Sequence, residues 1–241
     1  MDAQVFTEHF DLEDTHWWFR SKRTLVLSLL RRYGVLEGPG LDVGCGAGGT
    51  LAVLTAQGAW VGVDADPSAL ELSRRRGLAA LAGSVAEALP FRDGTFAACL
   101  CLDLLYHRNV ASESGALREC HRVLRPGGLL LVTDSAFKWL HSAHDEAVHG
   151  VRRYTRRELV ERVRSAGFAP LLASYAYCLI FPAVAAVRLA RRGAAGSDVF
   201  PLPRPLNAAL LGVQAIERAL LRLGPLPFGS SVVLVARKAA A

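Results

Sequence analysis

LDVGCGAGG, residues 41–49, turns a short apolar run into a cluster of glycines. The pattern predicts a helix over residues 50–57 and a second apolar run, residues 60–63, that ends in Asp64. In such a β-loop-α-β unit the glycines let backbone N–H groups and a helix N-terminus approach a ligand closely. Asp64 follows Gly44 by 20 residues, where a carboxylate at the end of a second strand accepts hydrogen bonds from ribose hydroxyls. The stretch therefore predicts a site for a nucleoside-containing cofactor.

Two classes of cofactor fit the glycine pattern. Gly44, Gly46 and Gly49 satisfy G-x-G-x-x-G, which also occurs in the NAD(P)-binding loops of oxidoreductases. Asp42 favours S-adenosylmethionine (SAM), because a carboxylate before the first glycine can hold an ammonium group and would repel a pyrophosphate. With the segments described next, residues 41–49 resemble motif I of the class I SAM-dependent methyltransferases.

Three further segments resemble the same family. EALPFRDGTF, residues 87–96, is similar to the segment that passes the adenine of the cofactor, and RVLRPGGLLLV, residues 122–132, is similar to the turn into strand five. Residues 144–154, which begin with His-Asp and end with Arg-Arg-Tyr, resemble a loop of a bacterial, methyltransferase type 11-like subgroup. In that subgroup the loop borders the acceptor pocket.

The resemblance implies an α/β fold, a Rossmann-like seven-stranded and mostly parallel sheet of order 3-2-1-4-5-7-6. It implies a single class I methyltransferase domain over the 241 residues. An N-terminal helical cap is expected at 1–38, a cofactor-binding core at 39–177, a helical insertion between strands six and seven at 178–229, and the last strand and tail at 230–241. The cap contains a predicted amphipathic helix over residues 15–33, with Thr15 as its N-cap.

S-adenosyl-L-methionine is the cofactor that the resemblance implies. In the family an Asp before the adenine segment usually takes the adenine amino group, and here Ser84 or Val85 stands in its place. Backbone groups, the Ser84 hydroxyl and packing are therefore expected to hold the adenine. The residues expected to bind the cofactor are Asp42, Gly44, Cys45, Gly46, Gly48, Asp64, Ala65, Ser84, Val85, Ala86 and Asp103.

The implied activity is transfer of a methyl group from SAM to a small or lipid-like acceptor, with a hydroxyl group favoured. Such an acceptor needs a base, and histidine titrates near neutral pH. His144 is the first candidate, oriented by Asp145, and His107 is the second, with a structural hydrogen-bonding role as its alternative. An amine or activated-carbon acceptor would need no strong base. Two other functions stay open, a catalytically silent SAM-binding or membrane-associated protein of this fold and an NAD(P)-dependent oxidoreductase.

The acceptor side is predicted from both halves of the chain. Trp17 and Trp18 either fold over the cofactor as a lid or anchor the N-terminal helix to the sheet. The remaining residues expected on this side are Tyr106, Arg152, Arg153 and Tyr154.

The same region has residues suited to a metal site, because three histidines lie close to two acids. The residues concerned are His141, His144, His149, Asp145 and Glu146. Their spacing does not place the histidines on one helix face and methyl transfer needs no metal, so none is expected.

Residues 168–187 carry no charge over 20 positions, which raises the question of a transmembrane helix. Pro170, Pro182 and three aromatic residues instead favour a strand at 171–177, followed by an inserted helix from residue 178. A second amphipathic helix is predicted at 206–223. The two helices could cover a hydrophobic acceptor, lie on a membrane surface or form a dimer, and the sequence leaves all three open.

The charge and the cysteines of the chain limit which partners and which cellular location are expected. The net charge of +6 is carried mainly by scattered arginines, and no aromatic-basic RNA motif accompanies them, which argues against nucleic acid. An anionic substrate or membrane surface fits the balance as well. Five cysteines without a C-x-x-C pair and a polar, acidic N-terminus favour a cytoplasmic protein. Residues 178–223 are the candidate for peripheral membrane contact, and the chain is expected to be a monomer or homodimer.

Overall fold

The computed structural model describes residues 7, 10–190 and 199–239, and its centre is one seven-stranded sheet. The strands are β1 (Gly40–Val43), β2 (Trp60–Asp64), β3 (Leu81–Gly83), β4 (Phe96–Leu102), β5 (Leu124–Ser135), β6 (Phe168–Ala176) and β7 (Ser231–Lys238). Their order is β3-β2-β1-β4-β5-β7-β6, with β1 to β5 parallel and β7 antiparallel to both neighbours. The predicted fold class and strand order are confirmed.

Helices cover both faces of the sheet, as parallel strands require. Those in the described part of the chain are α1 (Trp17–Arg32), α2 (Gly49–Thr55), α3 (Pro67–Arg75), α4 (Glu113–Val123), α5 (Ala143–Ala147), α6 (Arg156–Ser165), α7 (Phe181–Ala190) and α8 (Arg204–Leu223), with a 3₁₀ turn at Lys138–Leu140. The first helix begins after His16, whose side chain accepts from the Trp18 N–H, and not after the predicted Thr15. Thr15 makes two other hydrogen bonds instead. Its hydroxyl donates to the Leu12 carbonyl, and its own carbonyl accepts from the Asn207 side chain.

The core lies on both faces of β4, which is buried from Phe96 to Cys101. Alternate residues enter different clusters, with Cys99 in one and Leu100 in the other. Full burial of one such leucine contributes roughly 1.5–3 kcal/mol. This two-sided burial explains why the strand is a nearly continuous apolar run in the sequence.

The last two strands frame the insertion. β6 begins at Phe168, three residues before the predicted start, although it contains Pro170. Proline is tolerated there because β6 is the edge strand and its pairing shifts register between Pro170 and Leu172. Between β6 and β7 the chain forms α7 and α8, and α8 packs on α1. None of the described helices combines enough length with enough hydropathy to span a bilayer.

Candidate functional site

The carboxyl ends of β1, β2 and β4 meet at one edge of the sheet, where open α/β folds place their ligands. The glycine loop after β1 is held there by hydrogen bonds from the Gly44 and Cys45 N–H groups to the Val63 carbonyl. Asp64 fixes the rest of the loop, since one carboxylate oxygen accepts from the Gly46 N–H and the other from the Asp66 N–H, each at 2.9 Å. The first glycine needs its left-handed backbone, φ 74°, and a Cβ there would come within 2.7 Å of Leu104.

A single cavity of about 820 Å³ extends from this loop to the inserted helices. The sequence-predicted cofactor residues on its wall are Asp42, Gly44, Cys45, Gly46, Asp64, Ala65, Ser84, Val85, Ala86 and Asp103. Gly48 is not on the wall. It lies under the loop in a left-handed conformation, φ 82°, where a Cβ would come within 2.6 Å of the Ser73 hydroxyl. Its place is set by packing of the loop on α3.

Acidic groups surround the loop, and the arrangement fits SAM. Burial, together with the nearby Asp64 and Glu13, raises the pKa of Asp42 to about 7. A bound ammonium group would relieve this repulsion. A carboxylate has about four acceptor sites, so Asp64 can accept from ribose hydroxyls in addition to the N–H groups of Gly46 and Asp66. At Gly46 a Cβ would meet no protein atom within 4 Å, so a ligand can approach the backbone there.

The expected adenine contact of Ser84 has a competing use. The Ser84 hydroxyl donates to the Ala88 carbonyl at 2.5 Å and thereby holds its own turn. A hydroxyl oxygen can still accept, but its proton is engaged. Ser84, Val85 and Ala86 all line the cavity, so contact with an adenine ring would come mainly from the backbone and from side-chain packing.

Lys22, which the sequence analysis missed, forms an ion pair with Asp103 inside the cavity. Burial lowers the pKa of Lys22 to about 8, against the attraction of Asp134 and Glu13. Its ammonium lies 4.8 Å from the centre of the Trp18 ring. Lys22 stands one helical turn after Trp18, so the i, i+4 spacing on a predicted amphipathic helix was the available signal.

Trp17 and Trp18 anchor the N-terminal helix, which is one of the two roles that the sequence left open, while a lid over the cofactor stays a prediction. Both line the cavity. Both are also anchored, because the Trp17 N–H donates to the Asn207 side chain of α8 at 2.6 Å and Trp18 stacks on Tyr177 with ring centres 4.2 Å apart. The N-terminal helix and the insertion therefore close the cavity together.

Both candidate bases reach the cavity, as does Tyr106. His107 follows β4, and burial, together with the nearby His149 and Arg108, lowers its pKa to about 4. The imidazole is therefore neutral at pH 7, and its Nδ1 accepts from the Asn109 N–H at 3.1 Å. His144 lies on α5 and also lines the cavity.

Asp145 lies behind the cavity wall, not on it. It is buried and makes a two-pronged ion pair with Arg153, with both N–O distances 2.9 Å. One of its oxygens also accepts from the Ser142 N–H, which caps α5. Since these partners occupy the carboxylate, its observed role is to hold α5, which carries His144.

Arg152, Arg153 and Tyr154 likewise lie off the wall. Arg152 donates to the carbonyls of Leu105 and His107, and Tyr154 donates to the Leu105 carbonyl at 3.0 Å. Arg152 and Tyr154 therefore fix the backbone that presents Tyr106 and His107, while Arg153 holds Asp145. The resemblance could place these residues after strand five, but it could not show which way they face.

The far half of the cavity is apolar. Its walls come from the insertion, which contributes Ile180, Ala183, Val184, Val187, Val199, Phe200, Leu202, Leu206 and Leu210. Arg188 also reaches this wall, and its guanidinium lies 3.9 Å from Asp145. Within the described residues, no group of three or more His, Cys, Asp or Glu side chains is arranged to hold a metal ion.

Comparison with known proteins relates the cofactor-binding half of the chain to methyltransferases. A family model described as a methyltransferase domain matches residues 41–132. An uncharacterized 37.1 kDa protein in transposon TN4556 of Streptomyces fradiae is 32% identical over 209 residues, which are 80% of this chain and 60% of that one. Demethylmenaquinone methyltransferase of Mycobacterium bovis is 42% identical over 101 residues, 40% of this chain and 42% of that one. The matches thus span less than two thirds of either relative.

The solved structures agree with the fold. The 1,6-didemethyltoxoflavin-N1-methyltransferase of Burkholderia thailandensis, determined with its methyl acceptor and S-adenosylhomocysteine bound, superposes with a TM-score of 0.59. The alignment covers 98% of this chain and 87% of that chain at 20% sequence identity. At this identity the likeness concerns the fold alone.

Proposed function

We propose that this chain, a class I SAM-dependent methyltransferase by its fold and by the family match over residues 41–132, methylates a hydroxyl group of a small, lipid-like acceptor. The observation that carries the proposal is one continuous cavity with two unlike ends. One end is formed by the glycine loop and its acids, and the other by apolar side chains of the inserted helices. A cofactor end joined directly to an apolar chamber suits transfer to an apolar acceptor.

At the cofactor end, Asp42 would hold the ammonium group, Asp64 the ribose hydroxyls, and the segment from Ser84 to Ala86 the adenine. When bound, SAM supplies an activated methyl group on a sulfonium centre. The protein then has to align the acceptor, exclude water and manage one proton.

At the acceptor end, Val184, Val187 and Leu210 would enclose the apolar body of the acceptor. The name of the mycobacterial relative gives demethylmenaquinone as the compound that it methylates. Because the match to that protein lies in 101 residues, it supports a lipid-like acceptor class here and not a particular compound. Residues of the insertion would set the choice within that class.

Three side chains would take part in removing the proton from the acceptor hydroxyl. The Lys22 ammonium, held by Asp103, stabilises the acceptor oxygen as it loses its proton. The imidazole of His144 receives that proton, and His107, neutral at pH 7 because of its lowered pKa, is the weaker base. Lys22 is thus proposed in addition to the residues predicted from sequence.

The proposed setting is the reducing cytoplasm, since all five cysteines are free and buried. The test is incubation of the pure protein with methyl-labelled SAM and an organic extract of bacterial lipids, followed by extraction. We expect label in the organic phase, and much less with Asp42→Asn when SAM is present near the wild-type Kd. If the protein binds S-adenosylhomocysteine but transfers label to no extract, it is a silent cofactor-binding protein. If it binds only NADH, it is an oxidoreductase.

A further inference from the structure

The longest inserted helix, α8, buries two polar residues against the protein and leaves an apolar face in solvent. Gln214 and Glu217 are buried against the protein, and Glu217 accepts backbone hydrogen bonds from Tyr177 and Leu179. The outward residues are all exposed and apolar, namely Ala208, Ala209, Gly212, Ala215, Ile216, Ala219, Leu220 and Leu223. An ordinary surface helix carries polar residues on such an exposed face.

We call these eight residues, together with the exposed Arg204 and Arg222, the outer face of α8. Its three largest side chains leave much apolar area in water, since Ile216 is 59%, Leu220 39% and Leu223 86% exposed. The neighbouring helix α7 has no acidic residue, and the one acid of α8, Glu217, is buried. The outer face is therefore apolar and cationic, with no negative charge from either inserted helix.

We propose that the outer face of α8 docks on the surface of an anionic lipid bilayer. Apolar side chains flanked by arginines, without acids, match the combination of acyl chains and negative headgroups at such a surface. A second copy of this chain is the less suitable occupant. An isologous contact would bring the arginines of two outer faces together with no acid on either helix to pair with them.

The position of the outer face connects it with the cavity. Val187, Phe200 and Leu206 line the cavity and are each about half exposed, so they form an apolar rim. Leu206 belongs to α8 itself. A helix seated on the bilayer would therefore hold an apolar opening of the cavity beside the lipid. Docking stands independently, but entry of the acceptor by this route rests on the proposed function.

The test is sedimentation of the full-length protein with vesicles of phosphatidylcholine alone and of phosphatidylcholine mixed with phosphatidylglycerol. We expect binding to the mixed vesicles, weakened by salt. Each of Arg204→Gln and Arg222→Gln should lower the partition coefficient about fivefold. The triple variant Ile216→Glu, Leu220→Glu, Leu223→Glu should abolish binding, while Leu171→Glu, at an equally exposed leucine on β6, should leave it unchanged.

The proposal is overturned if the wild type does not bind the mixed vesicles, or if the triple variant binds them as the wild type does. It is also overturned if sedimentation velocity without lipid shows a dimer that the triple variant dissociates, since a second copy then covers this face. The thermal shift with S-adenosylhomocysteine, measured on every variant, reports folding and the cofactor site separately. Failure of docking therefore remains distinguishable from failure of the proposed function.

Discussion

Lys22 of α1 forms an ion pair with Asp103 at the end of β4, across a sequence separation of 81 residues. The pair is made inside the cavity, between the cofactor loop and the apolar chamber. The backbone of Asp103 adopts a left-handed conformation, φ 51°, which turns this residue out of the strand. The N-terminal helix thereby adds a cation to the cavity wall near the acids of the cofactor end.

Replacing Lys22 by Met should lower kcat by roughly 10²–10³-fold, because a preorganised positive group facing the acceptor oxygen is lost. The pKa of Lys22 is lowered to about 8, so wild-type activity should fall as the pH rises through 8 and the ammonium loses its proton. Lys22→Arg should retain activity at higher pH. The measurement is a pH profile of kcat, and a Met variant with the wild-type profile would show that Lys22 has no part in the reaction.

Replacing Asp42 by Asn should weaken binding of S-adenosylhomocysteine by roughly 10–100-fold, the effect of losing a charge-assisted hydrogen bond. Since the pKa of Asp42 is raised to about 7, the wild-type affinity should increase as the pH rises through 7 and the carboxyl group ionises. The Asn variant should lack this dependence. Calorimetric titration at several pH values measures both effects.

The matched control for Asp42 is Glu37→Gln, at an exposed acid before β1, which should bind as the wild type does. Equal weakening by both variants would mean that overall charge, and not the loop, governs the affinity.

Replacing Val184 by Trp should lower kcat/KM for a lipid-like acceptor by about tenfold or more, because the larger ring fills the apolar chamber. Binding of S-adenosylhomocysteine should not change, since the loop and its acids are untouched. Val151→Trp, at an exposed valine off the cavity wall, serves as the control. Equal kinetics for the Val184 and Val151 variants would remove the chamber from acceptor binding.

Replacing Arg153 by Met should lower the free energy of unfolding by about 3–5 kcal/mol, because it leaves the buried Asp145 carboxylate without its cation. Burial alone would raise the pKa of Asp145, but its bonds to Arg153 hold that pKa below the usual range. The stabilisation is therefore present above the ordinary carboxyl range and lost as the pH falls below it. Urea unfolding at neutral and acid pH measures this difference.

Arg157→Met is the control for this pair, because Arg157 pairs with Glu161 in full exposure to solvent. It should leave the free energy of unfolding nearly unchanged. A similar small effect from Arg153→Met would contradict the structural role given to the buried pair.

Much of the fold could be predicted from local patterns. The run of β4 is apolar because both its faces are buried, and the Thr-x-x-Glu spacing of Thr155 and Glu158 is the local pattern of the capping box that begins α6. The wall positions of Asp42 and Asp64 follow from their places at strand ends, since parallel strands bring those ends together.

The remaining features depend on packing between distant segments. The ion pair of Lys22 with Asp103 forms only because α1 packs beside the end of β4. Arg153 and Tyr154 turn inward because Asp145 and Glu113 receive them, which a motif cannot show. An amphipathic pattern on α8 indicates that one face is apolar, but only the polar contacts of Glu217 reveal that this face points outward.

The most direct measurement is a crystal structure of the protein with S-adenosylhomocysteine. We expect the amino group near Asp42, the ribose on Asp64 and the adenine beside Val85. The sulfur should face Lys22, His144 and the apolar chamber beyond them. A molecule bound elsewhere, or one whose sulfur faces away from the apolar chamber, would contradict the assignment of the two ends of the cavity.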